Sequence, residues 1–287
     1  MSMSFEFRTY FSIQLLTAAR LFCDNSYNIE SKYAKEFLTM SKEDKQRLSR
    51  DNISFVTGAI ISCVTFLEAN INEFYGDAYD KQYNDRLEPL SGESIKLIGE
   101  IWEKVENERK RILYKYNLAL ELASKEKFNK GMEPYQSVCL LINLRNNLVH
   151  YKTETVKSSS FDPKNKHELE KKLSNKFIEN TFYKFTGNPY HPHKLLGYGC
   201  AKWAFNSVVL LADEFYSKMG VKPYYEHVRD EVINKQLNEI DISDIINHYD
   251  VMKSQYKSSN NNGERIVAAP FEIKLELIEI DNKIELF

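Results

Sequence analysis

The chain has 287 residues, 43% of them apolar and 13% aromatic, enough for one large domain or a domain with an appendage. Its 39 basic and 41 acidic residues leave a formal charge of -2, which excludes a general electrostatic attraction for nucleic acid. The signs alternate in stretches such as Glu103 to Arg111, the pattern of solvated helix faces rather than of a polycationic tract.

Only 10 glycines and 7 prolines punctuate the sequence, which favours long helices. A first helix is predicted over residues 9–24, from Phe11, Ile13, Leu15, Leu16, Ala19 and Leu21. Ser41-Lys-Glu-Asp44 is a capped start for a second, running to about Tyr79. That helix is apolar on most sides, through Val56, Ile60, Val64, Leu67, Ile71 and Phe74, and is therefore central; Gly58 weakens but need not break it. Ser91-Gly-Glu-Ser94 opens a third, and residues 112–128 read as a fourth, ended by Gly131. Glu133-Pro134 starts a fifth helix, running to about Tyr151, with proline in its first turn where the missing N–H does no harm. A polar loop is expected over 153–166, a short helix over 167–180, and a Pro/Gly-rich loop over 187–199. Residues 200–219 form a strong helix closed by Gly220. The reading is an all-α helical bundle over residues 1–256, a linker over 257–264, and a β-like tail over 265–287. In the tail, Phe271-Glu-Ile-Lys-Leu-Glu-Leu277 alternates with period two, and Asp281-Asn-Lys283 returns it into Ile284-Glu-Leu-Phe287 as a short β-hairpin.

Cys23, Cys63, Cys139 and Cys200 lie far apart in apolar segments without zinc spacing, so buried thiols in a reducing compartment are expected. The N-terminus has no signal-type pattern, and polar residues interrupt the apolar stretches short of a membrane span. The expectation is a cytoplasmic protein with no membrane association, metal or cofactor.

The fifth helix breaks the rules of a plain amphipathic helix. Its apolar stripe of Val138, Leu141, Ile142, Leu148 and Val149 passes through Arg145. A second stripe, Asn143, Asn146, Asn147 and His150, is a row of hydrogen-bonding residues ending in an imidazole. Local failures of this kind tend to fall at functional sites. Arg is a permanent cation that grips phosphate with two donors, and His titrates near neutrality. RNA carries its own nucleophile in the 2′-hydroxyl. A base for that hydroxyl, an acid for the leaving 5′-oxygen and an Arg for transition-state charge make a complete, metal-free cleavage. On an ideal helix, side chains five positions apart diverge by roughly 140°. Arg145 and His150 therefore reach one small target either across a symmetric pair of copies or by the helix ending near Val149 and freeing His150.

Arg145-Asn-Asn-Leu-Val-His150, on a late helix of a helical chain, resembles the Arg-X4–6-His motif of HEPN ribonucleases (higher eukaryotes and prokaryotes nucleotide-binding). Residues 59–75 resemble the Leu-Glu-Ala-x-Ile-Asn-Glu stretch of bacterial members, here Leu67 to Glu73. The resemblance spans residues 50–220 or so. It implies a homodimeric bundle whose two Arg/His pairs cut RNA to leave 2′,3′-cyclic phosphate, in a toxin or anti-phage role. An antitoxin or regulatory protein is then a partner to expect. On this reading Arg145, His150 and Asn146 are catalytic, and Glu68, Asn72, Asn147 and Tyr151 support them. The alternative is a non-catalytic HEPN-like module that binds RNA or nucleotide or scaffolds a protein.

Each residue also has a plainer role open to it. Arg145 neutralises Glu68, which sits among Val64, Leu67 and Ile71, and such a buried pair would hold two central helices together. His150 serves a helix C-terminus, Asn146 is solvated, Asn72 shares the face of Glu68, and Tyr151 either packs or stacks on a base. His191-Pro-His193 gives two ligands without a third and reads as a proline-rich loop. Arg109-Lys110-Arg111 with Lys115 is either a solvated face or a guide for phosphates.

Overall fold

The computed structural model describes residues 8–80, 85–107, 111–153, 168–186, 188–251, 278–280 and 283–285. Two long helices form its spine. α1 (Ser12–Glu36) and α2 (Lys42–Tyr79) run antiparallel, joined by a short turn. The pairing is fixed by polar ties: the Ser12 amide and hydroxyl donate to Glu73, the Ser26 hydroxyl donates to Asn52 at 2.6 Å, and the Asn52 amide donates to Glu30 at 2.8 Å. α1 runs twelve residues past its predicted end. Its second half looks polar, yet Ser26 and Glu30 are buried with partners, so the inward face continues. α2 starts where the sequence predicts, with the Ser41 hydroxyl accepting from the Asp44 amide at 3.0 Å and Glu43 and Asp44 in the positive first turn.

By length and composition α2 is apolar enough to cross a membrane. In this fold Val56, Ile60, Val64, Leu67, Ile71 and Phe74 are fully buried, and the helix packs against α1 and four of the helices that follow. α3 (Gly92–Asn107) lies close across the end of α2, where a Cβ on Gly99 would stand 2.5 Å from the Ala78 carbonyl oxygen. α4 (Ile112–Leu122) is tied to α2 by tyrosine hydroxyls: Tyr116 donates to the Leu67 carbonyl and Tyr75 to the Lys115 carbonyl, each at 3.0 Å. The fourth helix stops six residues before its predicted end at Phe128. Ser124 turns left-handed at φ 54, and the Asn117 side chain accepts from the Phe128 amide at 2.9 Å, folding the segment back.

α5 (Tyr135–Val149) packs on α2 and on the long helix that starts at Tyr198, and α6 (Glu168–Leu173) is shorter than the predicted 167–180 helix. A kinked turn, Tyr190–Lys194, stands within the expected loop, with His191 extended at φ -101 and ψ 131. α7 (Tyr198–Met219) ends at Gly220, whose φ of 74 is the left-handed closure its position implies. Phe74 and Tyr116 meet Phe215 edge-on at 5.1 and 4.9 Å, so α2, α4 and α7 share one aromatic core. A 3-10 turn (Glu226–Val228), a π turn (Arg229–Ile233) and a helical stretch over 243–251 follow. The last builds a small second cluster of Ala34, Tyr198, Ile240 and Ile245.

The described body is all-α. The linker at 257–264, the strand at 271–277, Arg109-Lys110 and most of the 153–166 loop lie outside the described residues. In the tail, β1 (Ile278–Ile280) pairs antiparallel with β2 (Lys283–Glu285), Ile280 opposite Lys283.

Candidate functional site

α5 enters from Pro134, with the Glu133 carboxylate accepting from the Ser137 amide at 3.0 Å. Val138, Leu141 and Leu144 are fully buried and fix the rotation of the helix. That rotation turns Gln136, Cys139, Asn143, Asn146, Asn147 and His150 outward, so the polar row is a solvent-facing stripe. Cys139 stands in it exposed, which corrects the expectation of four buried thiols; its position on the outer face of α5 is the reason. Cys23, Cys63 and Cys200 are buried and free, and burial pushes each thiol well up.

The helix ends at Val149, two residues before the predicted end at Tyr151. His150 is the C-cap, at φ -109 and ψ 36, and its amide still donates to the Asn146 carbonyl at 3.0 Å. The His150 side chain is therefore exposed at a helix end. Arg145 is half-buried on the flank of the apolar face, and its Nε is a buried donor without a partner among the described residues. A buried guanidinium donor left open is costly and suits an anion that arrives from outside.

The sequence-based partner for Arg145 does not form: no ion pair or hydrogen bond joins it to Glu68 among the described residues. Glu68 is half-exposed on α2. Asn72 serves a different network, since its carbonyl accepts from the Lys115 ammonium at 2.8 Å, with that ammonium 5.8 Å from the centre of the Trp102 ring. Lys115 is thus a buried cation under α3 rather than part of an open basic face. Asn147 turns its amide back onto the Asn143 carbonyl at 2.8 Å, while Asn146 faces solvent.

Beyond the cap the chain leaves the helix, and the half-exposed Tyr151 ring lies 5.9 Å from the buried His191 ring at 34°. In the sequence His191-Pro-His193 reads as a proline-rich loop able to line a cleft, and here His191 is a neighbour of the site. The His-Pro-His spacing was its only visible signal, and that spacing says nothing about contact with Tyr151. His193 packs edge-on to Tyr183 at 5.1 Å, and the Tyr183 and Ser49 hydroxyls meet at 2.6 Å; burial holds the His193 imidazole below its ordinary pKa. This loop layer is rigidly held. Asn180 donates to the Leu196 carbonyl at 2.7 Å and through its amide to Lys194 at 2.8 Å. Glu30, fully buried on α1, accepts from the amides of Tyr198 at 2.6 Å and Thr181 at 3.2 Å. No group of three or more His, Cys, Asp or Glu side chains among the described residues is placed to hold a metal ion.

The structure therefore has Arg145, Asn146, Asn147, His150 and Tyr151 at one end of α5, and among the described residues no hydrogen bond or ion pair joins Glu68 or Asn72 to them. Searches against protein-family models, curated proteins and solved structures find no match to this chain.

Proposed function

We propose that this chain is a metal-independent endoribonuclease of HEPN type, acting as a homodimer in a toxin or anti-phage defence role. One observation carries the proposal: α5 ends in an exposed imidazole, and five residues earlier it holds an arginine whose Nε is buried and open. The cleavage needs no more than these groups. One His150 takes the proton of a 2′-hydroxyl, whose oxygen attacks the adjacent phosphorus. The bond from phosphorus to the 5′-oxygen breaks, and the His150 of a second copy protonates the departing oxygen. Arg145 grips the non-bridging oxygens while charge builds on them. The products are a 2′,3′-cyclic phosphate and a 5′-hydroxyl, and atoms and charge balance without a co-reactant. Asn146, exposed between the two groups, is placed to orient phosphate or imidazole.

The test is incubation of the purified chain with mixed-sequence single-stranded RNA in EDTA, beside His150→Ala. His150 is exposed and among the described residues makes only a backbone cap contact, so the variant is expected to keep its melting temperature. General acid–base groups contribute about 10²–10⁴-fold, so cleavage should fall by at least a hundredfold. Equal cleavage by the variant would sink the proposal. RNA binding without cleavage by either protein would move the chain to the non-catalytic binding module.

A further inference from the structure

A cavity of about 910 Å³ has neither Arg145 nor His150 in its lining. It is a partly open groove along the outer face of α7, walled by the start of α5 and by residues 176–178. Phe177, Ile178, Trp203, Leu210 and Ile240 give it an apolar lining, and Leu210 is 60% exposed, although it sits on a helix whose other face is core. Trp203, Asn206, Leu210, Glu214 and Ser217 recur every three or four residues, so the lining is a helical stripe. From Tyr198 to Ser217 the α7 wall of the groove is about 28 Å long at 1.5 Å per residue, the length of a helix of about five turns.

The charges around it are not balanced. Glu133 pairs with Lys176 and Glu239 with Lys202, and these cancel. Asp213 shares Arg229 with Glu226, and Glu214 shares Lys218 with Glu126. Each of these two networks has two carboxylates on one cation; Lys222, exposed beside Asp213 and Arg229, offsets one of the two surplus charges, so the end of the groove nearest the α7 C-terminus keeps one negative charge in excess. The α7 dipole adds to that potential. Such a surface repels nucleic acid, and two copies facing each other through it would set like charge against like.

We infer that this groove docks an amphipathic helix of a partner protein, its apolar stripe seated on Trp203 and Leu210 and its lysine- or arginine-rich end against Asp213 and Glu214. The reading is independent of the ribonuclease proposal. Helix-in-groove recognition takes its affinity from a few apolar anchors and its orientation from charge.

The test uses the full chain and two fluorescein-labelled 20-residue helical peptides with the same apolar stripe, one ending in three lysines and the other in three glutamates, followed by anisotropy. The lysine peptide should bind at least about tenfold more tightly than the glutamate peptide, with the preference falling as salt rises. Leu210→Lys, at an exposed position that folding does not need, should weaken it at least tenfold, and Glu214→Lys should remove the preference between peptides. Equal affinity for both peptides, no binding of either, or binding unchanged by Leu210→Lys would overturn the inference. Sedimentation of the unbound chain gives a further check: a dimer dissolved by Leu210→Lys would make this face a self-interface and overturn it as well.

Discussion

Glu30 shows how one side chain can organise a site it does not touch. Its carboxylate receives the Asn52 amide and the backbone amides of Tyr198 and Thr181, which ties α1, α2, the 180s loop and the start of α7. Glu30→Ala would leave three donors open inside the protein, a loss of roughly 3 kcal/mol or more that thermal or urea unfolding would register. Burial also raises the Glu30 carboxyl above its ordinary range. A carboxyl raised in the folded state holds its proton to higher pH there than in the unfolded chain. Its contribution to stability is therefore greatest below the unfolded value of about 4 and declines as pH rises through the folded value. Burial raises Glu73 and Asp77 too, while His193, held low by burial, acts oppositely and loses stability as pH falls below about 6.5. Comparing the wild type with Glu30→Gln cancels these other groups. The melting-temperature advantage of the wild type should grow as pH falls through the folded value toward the unfolded value of about 4. A constant difference would mean that Glu30 does not titrate differently in the folded state.

Among the helices, two glycines separate packing from propensity. At Gly99 an added Cβ would stand 2.5 Å from the Ala78 carbonyl oxygen and 3.0 Å from the Tyr79 Cα, so α3 would have to move off α2. Gly92, also in α3, has open space around it. Gly99→Ala should lose about 1–3 kcal/mol, whereas Gly92→Ala should be neutral or slightly stabilising. Equal effects by denaturant unfolding would contradict the close crossing. The same distinction explains which helix boundaries were legible. The starts of α2, α3 and α5 rest on local chemistry at Ser41, Ser91 and Pro134, and the end of α7 rests on Gly220, so residue identity alone places them. The ends of α1 and α4 depend on distant partners. The Glu30 tie to residues 181 and 198 and the Asn117 clasp on Phe128 join positions whose proximity no local pattern encodes. At the candidate site the outward polar row of α5 was legible from its period. The lack of a Glu68–Arg145 pair and the presence of His191 beside Tyr151 were not, because both depend on how α5 sits against elements distant in sequence.

At the scale of the whole molecule, the ribonuclease proposal requires two copies to meet across the outer face of α5. Cys139 offers a direct reading of that geometry. It is the exposed one of the four cysteines; the other three are buried with thiols pushed up by burial and so resist labelling. Eleven residues separate it from His150, which on an ideal helix is about three turns, with the two side chains only roughly 20° apart. A label on Cys139 therefore lies on the face that carries His150, about 16 Å along the axis. If two α5 helices cross near Asn146, each label sits about 10 Å from the crossing, and the label-to-label distance should be roughly 20–40 Å once the linkers are added. Spin labelling at Cys139 with pulsed dipolar spectroscopy should give a distribution in that range that disappears on dilution. His150→Ala should keep it, because that change removes chemistry rather than packing. Introducing Asn143→Glu should abolish it, since it would place two like charges at the crossing. A labelled chain that shows no intermolecular distance while still cutting RNA would mean that one copy suffices, through the freedom His150 gains at the helix cap. A dimer whose labels lie far beyond this range would place the interface on another face and remove the joint site.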